Sequence, residues 1–426
     1  MATIDTTTGP LRVEHRDGLT HARGVPYATA ERFRPPRPAP RSATVRDATV
    51  RGPACPQDPS RLDNVNGPII DQLEQREDCL VLSVTAPIEA AGLPVMVWFH
   101  GGAYLSGGGE APKYDPDDLA REGVVVVNVT YRLGVLGYLT PAGAGADNLG
   151  LLDQIAALFW VRDNIAAFGG DPETVTVFGQ SAGGDSVLAL IAAPSAKGLF
   201  HRAIVQSAPT GARSDRTAMT QAMRAALTGH LDSDPLTAST DQILAAQRHA
   251  IAVAQKFGVV SGLPFGPIYG LDPLPITLHQ ALAEAAPRVE LLIGYTRDDA
   301  APFVAMDPRA GAFAELGPLG RRIERFVARR ITAKVFGDAT TELARNWNDV
   351  GGDVATFRFD WQPPDAPFGA CHCLELPLLF NGDWSDAPML AGHPVPTSLA
   401  AEVRRTWADF ARRGTEALPT RTLRFH

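Results

Sequence analysis

Gly179-Gln180-Ser181-Ala182-Gly183 places a serine between two glycines, after the β-branched run 174–178 and before the helix-forming stretch 185–193. This strand–turn–helix context is what a nucleophilic serine needs. A side chain lifted to the tip of a sharp turn requires neighbours without Cβ atoms that would clash. The turn also aims the first N–H groups of the following helix at the atom under attack, where an oxyanion forms. A serine hydroxyl is a poor nucleophile near neutral pH, so the chemistry further requires a base and a group that orients it.

Chain order narrows the partners. On this kind of turn the acid follows the serine and the histidine follows the acid. Of the ten histidines, His372 opens a loop after the strand-like run 354–359, where a loop-borne base belongs. The run Ile293-Gly294-Tyr295-Thr296-Arg297-Asp298-Asp299 offers two carboxylates at a strand end, and position alone leaves the choice between Asp298 and Asp299 open. Upstream of Ser181, His100-Gly101-Gly102 closes another apolar strand.

The elements that must hold these residues alternate in type. Residues 94–99, 124–129, 174–178, 203–206 and 291–294 are short apolar runs, and 148–168 repeats apolar residues near helical spacing up to Gly169-Gly170. Continuous apolar strands separated by helices imply an α/β fold, a mostly parallel twisted sheet with helices on both faces. A mainly helical insertion is expected around 208–290 and a helical segment around 305–350, all within one domain spanning 1–426.

Composition removes several function classes. With 426 residues, 45% hydrophobic and 20% charged, the chain is of ordinary globular make-up. A net charge of −8 without a basic block gives nucleic acid or an anionic membrane no electrostatic hold. The most apolar stretch, 124–139, is broken by Asn128 and Arg132 and is too short to span a bilayer. The first residues lack an apolar signal core, so a cytoplasmic location is expected, and with it reduced thiols. Cys371-His372-Cys373 has no second ligand cluster beside it, so neither metal nor cofactor is expected.

The motifs also carry a resemblance. Gly24-Val25-Pro26-Tyr27-Ala28 with Arg32-Phe33-Arg34-Pro35-Pro36, then Glu77-Asp78-Cys79-Leu80-Val81-Leu82, Phe178 to Gly184, and His372-Cys373-Leu374-Glu375-Leu376-Pro377 resemble, in order, the signatures of the type-B carboxylesterases, the cholinesterase-like branch of the α/β-hydrolases. The resemblance implies an α/β-hydrolase fold and hydrolysis of small-molecule carboxylic esters through an acyl-serine. Ser181 is then nucleophile and His372 base. Asp299 takes the acid position, where the family has glutamate. Gly102, Ala103 and Ala182 would donate to the oxyanion. Arg32–Glu77 and Arg132–Asp153 would be structural ion pairs, and Cys55 and Cys79, a disulfide position of secreted relatives, are expected here as thiols. Tyr104, Leu105, Phe265, Phe303 and Phe368 are candidate pocket walls, and a monomer or small homo-oligomer is expected. Two alternatives stand beside this reading: an amidase or carbamate hydrolase with the same triad, and a non-catalytic cholinesterase-like binding protein.

Overall fold

The computed structural model describes residues 1–212, 216–231, 233–307 and 317–426. Among the described residues, eleven strands line up in one sheet. They are β1 (Ala2–Thr6), β2 (Gly9–Arg16), β3 (Leu19–Pro26), β4 (Val81–Pro87), β5 (Leu93–Phe99), β6 (Val125–Val129), β7 (Gly170–Gln180), β8 (Arg202–Gln206), β9 (Glu290–Thr296), β10 (Val354–Phe359) and β11 (Thr422–Phe425). The spatial order is β1-β2-β3-β4-β6-β5-β7-β8-β9-β10-β11, and the short strand Arg46–Asp47 pairs with β2 off this path. From β6 through β11 every pairing is parallel, whereas β1 to β4 form an antiparallel meander that docks on β6.

Side-chain alternation explains why the central strands read as unbroken apolar runs. In β5, Val95, Val97 and Phe99 enter the core under one helical layer, while Met96 and Trp98 enter the core under the other. A strand buried on both faces has no polar side to show, and its backbone groups are satisfied within the parallel ladder. The layer over Val95 and Val97 is built by α1 (Leu149–Asn164) and α2 (Ala182–Ala192).

Next along the chain come α3 (Thr217–His230), α4 (Thr240–Ala254) and α5 (Leu278–Ala285), within the segment read as a helical insertion. Of that segment, 213–215 and 232 lie outside the described residues. The short α6 (Ala301–Ala305) follows β9. It is succeeded by α7 (Gly317–Thr332), a π-helical turn (Ala333–Gly337) and α8 (Asp338–Asp349); 308–316 lie outside the described residues. The opposite layer is built largely by α9 (Thr397–Arg413), whose Val403, Trp407 and Phe410 pack with Trp98 and Phe178.

Two ion pairs brace the connections around this core, one within the segment between β3 and β4 and one between the end of β6 and α1. Arg32 Nε donates to Glu77 at 2.9 Å. Arg132 donates through Nε and Nη2 to the two oxygens of Asp153 at 2.8 and 2.7 Å, and both side chains are buried. A fork-to-carboxylate bond of this kind satisfies both charges at once, so removing one partner strands the other. Asp153→Ala is therefore expected to destabilise the fold by ~3–5 kcal/mol, read as a lower urea midpoint; an unchanged midpoint would show that Arg132 does not depend on the pair.

Candidate active site

Ser181 sits between β7 and α2 with φ 56° and ψ −121°, a conformation that a residue with a side chain rarely adopts. Its amide donates to Gln206 O of the neighbouring strand end (2.8 Å), and its carbonyl accepts from Asp185 N (2.9 Å), so both sides of the turn are tied down. The glycines are needed for close approach. A Cβ on Gly183 would lie 2.0 Å from Phe99 O, and one on Gly179 would lie 2.4 Å from the Gly183 carbonyl carbon. The elbow can fold only if helix, turn and β5 touch through bare backbone.

The loop after β5 lies against this turn, since a Cβ on Gly101 would come within 3.2 Å of Ser181 Cβ. Its backbone runs through positive φ at Gly102 (116°), Ala103 (57°) and Tyr104 (60°). Leu105 N and Ser106 N both donate to Gly102 O at 3.0 Å, which closes the loop on itself. His100 anchors its base. The ring is fully buried and stacked on Tyr131 at 4.4 Å, and its Nδ1 donates to Gly101 O at 2.8 Å. Burial lowers its pKa to about 4, so it stays neutral.

Asp299 and His372 meet behind Ser181. His372 Nδ1 is 2.6 Å from Asp299 Oδ1, with the two side chains 1% and 0% exposed. The other oxygen, Oδ2, accepts from Thr296 N and from Ser207 Oγ, each at 2.9 Å. His372 Nε2 lies 3.3 Å from Nε2 of Gln180, the residue before Ser181. The imidazole is walled by Phe303, edge-on at 5.1 Å, and by Phe336 of the π turn at 5.6 Å. Asp298 points elsewhere: its Oδ2 accepts from Arg297 Nη2 (2.7 Å) and from Ala370 N (3.1 Å), so it braces the loop that leads to His372.

The remaining sequence candidates scatter. Tyr104 is fully buried, its hydroxyl donating to Asp185 Oδ2 at 2.6 Å. Phe265 is buried in the same core, and Leu105 is half-buried against it. Phe368 lines a separate surface groove with Arg321, Arg325 and Arg329 of α7. A cavity of about 100 Å³ opens beside the elbow, lined by Gly101, Gly102, Gln180, Cys373 and residues of the 57–75 segment. All four cysteines are free and buried, with Cys55 and Cys79 side by side as thiols. Among the described residues no cluster of His, Cys, Asp or Glu could hold a metal, and no helix is long and apolar enough to cross a membrane. Sequence reasoning did not find Ser207, Phe336 or the orienting role of His100. Only His100 had a local signal, its place before the Gly-Gly turn.

The sheet order and a strained serine at the C-terminal end of β7 are those of an α/β-hydrolase. A family model described as the Carboxylesterase family matches residues 2–316, and the chain belongs to that family and is a carboxylic ester hydrolase. It is 43% identical to a probable N-octanoylanthranilate hydrolase of Rhodococcus erythropolis, covering 97% of this chain and 93% of the relative. It is 35% identical to para-nitrobenzyl esterase of Bacillus subtilis (97% and 91% covered) and 34% to phenmedipham hydrolase of Pseudarthrobacter oxydans (96% and 89%). A solved PNB esterase structure superposes with a TM-score of 0.85 at 34% identity, over 100% of this chain and 95% of that one.

The buried, neutral His100 has a consequence for stability. The unfolded chain binds a proton there near pH 6.5, the folded chain only near pH 4, so this site draws stability away as pH falls between those values. His100→Gln, which can still donate to Gly101 O, should lose less stability than wild type between pH 7 and pH 4, by ~3 kcal/mol. Parallel acid-unfolding curves would show that the site does not titrate this way.

Proposed function

We propose that Ser181, His372 and Asp299 form a catalytic triad that hydrolyses small-molecule carboxylic esters through an acyl-serine, within a single domain. The observation that carries this reading is the buried 2.6 Å bond from His372 Nδ1 to Asp299, which leaves Nε2 facing the elbow. Fixing the proton on Nδ1 makes Nε2 the basic nitrogen. Gln180 Nε2, and not Ser181 Oγ, is the group within hydrogen-bond distance of that nitrogen, and the serine–imidazole bond is expected to form once substrate is seated, as catalytic hydrogen bonds often close only in the complex.

In the acylation step His372 Nε2 takes the Ser181 proton as Oγ attacks the ester carbonyl. Asp299 stabilises the imidazolium, and the imidazolium then protonates the departing alkoxide. Water repeats the sequence on the acyl-serine and regenerates the free enzyme. The amides of Gly102, Ala103 and Ala182 are the proposed donors to the oxyanion; the first two have no protein acceptor among the described residues, and the third opens α2. Each such donor is worth ~3 kcal/mol in the transition state. Phe303, against the imidazole, is the aromatic candidate best placed to wall the acyl or alcohol group and to exclude water. No cofactor enters any step.

One observation favours a second reading. The 43% identical relative is named as a probable N-octanoylanthranilate hydrolase, and another for phenmedipham, so an aryl amide or carbamate is a competing substrate class for the same triad. Matched p-nitrophenyl ester and p-nitroanilide substrates with one acyl chain separate the two, because only the anilide needs an amine leaving group protonated.

Ser181→Ala should abolish both turnover of a p-nitrophenyl ester and labelling by an organophosphate, and retained turnover would refute the assignment. Asp299→Asn should lower kcat by ~10⁴-fold, as an asparagine holding the wrong tautomer does in serine proteases. Asp298→Asn should act far less, through the His372 loop alone; the reverse ranking would move the acid to Asp298.

A further inference from the structure

Three residues past His372, Glu375 is buried to 1% exposure, and neither carboxyl oxygen has a hydrogen-bond partner. The groups around it come from four elements. Asp299 faces it from the loop after β9, and Gln206 from the end of β8, with Gln206 Oε1 engaged by Trp407 Nε1 of α9 at 3.2 Å. Cys371 and Cys373, on its own loop, are thiols that burial pushes well above their usual range, so they remain neutral. The Gln206 amide and the backbone N–H of Glu375 itself lie close to the carboxyl and favour its charged form, but neither reaches it with hydrogen-bond geometry, and they do not outweigh burial and Asp299. The one charge in this set is the carboxylate of Asp299.

An ionised carboxylate stripped of water, with only poorly aligned donors near it and a second anion beside it, is among the costliest arrangements a fold can hold. The neutral acid removes most of that cost. Resting on the triad reading above, we propose that Glu375 is a positioning residue kept as the neutral carboxylic acid, so that Asp299 is the sole anion behind His372, and that its ionisation sets an alkaline limit on activity.

Burial, then the Asp299 charge, raise the Glu375 pKa to about 8. Below that pH the carboxyl is neutral and Asp299 keeps its bonds to His372, Thr296 and Ser207. Above it, the new anion repels Asp299 and draws water under the short loop that carries His372, and the base loses its aim. The same proton has a stability signature. The folded chain holds it up to about pH 8, while the unfolded chain releases it near the ordinary glutamate value, so this site erodes stability as pH rises between the two.

The test compares wild type with Glu375→Gln, which keeps the shape and cannot ionise. For a p-nitrophenyl ester, kcat/KM of Glu375→Gln at pH 7 should stay within about threefold of wild type. Wild type should lose at least tenfold through an ionisation near pH 8, and that step should be absent from the variant. Infrared difference spectra supply a readout independent of turnover: a protonated-carboxyl band that disappears from wild type near pH 8 and is missing from Glu375→Gln. Superimposable pH profiles, or a wild type without that band at neutral pH, would overturn the proposal. Should Glu375→Gln fold poorly, Glu375→Leu serves as the band-free reference for the same infrared titration, and a band retained in that variant would overturn the assignment to Glu375. If Ser181→Ala retained activity, the triad itself would fall whatever Glu375 does, so the two failures are distinguishable.

Discussion

A single buried contact, the carboxylate of Asp299 against the imidazole of His372, sets what the rest of the structure must supply. A carboxylate with no exposure is costly to desolvate, and three donors compensate it: His372 Nδ1, Thr296 N and Ser207 Oγ. Two of them, Thr296 N and Ser207 Oγ, hold Oδ2, so the carboxylate presents Oδ1 to the ring. Aspartate is one methylene shorter than the glutamate its relatives are expected to carry, yet the bond to His372 closes at 2.6 Å. Asp298 holds that loop, accepting from Ala370 N and donating its own amide to Ala370 O at 2.8 Å. Adjacent aspartates thus do different work, one facing the imidazole and one fixing the segment that delivers it.

The sheet brings these groups to one rim. Gln180, Gln206 and Gly294 are direct partners across β7, β8 and β9, so Ser181, Ser207 and the turn holding Asp299 emerge side by side at the strands' C-terminal ends. Open parallel sheets bind ligands at that edge, where loops from several strands converge. Residues far apart in the chain are neighbours because a parallel register leaves little freedom: slipping one strand by a residue would exchange its two buried faces. The rigidity of the site is inherited from strands buried on both sides.

Much of this was legible in the sequence because the physics is local. The elbow needs glycines at fixed offsets, and 354–359 reads as a strand with the boundaries the structure gives. The antiparallel meander was missed for an equally physical reason. β3 (LTHARGVP) buries Thr20 and His21 in place of a clean apolar face, so its period is hidden. Ser207 escaped notice because its bond to Asp299 spans 92 residues and leaves no pattern near either partner. Tyr104 illustrates the limit for aromatics. Its position after the Gly-Gly turn suits a pocket wall, but residue type does not give side-chain direction, and the phenol turns inward to Asp185.

The most direct test of the buried contact is a proton NMR spectrum of the far-downfield region. A short Nδ1–H bond to Asp299 should give a resonance well beyond the amide envelope, present in wild type and in Asp298→Asn and absent from Asp299→Asn and His372→Ala. A resonance that survived Asp299→Asn, or vanished only in Asp298→Asn, would contradict the pairing on which the proposed triad rests.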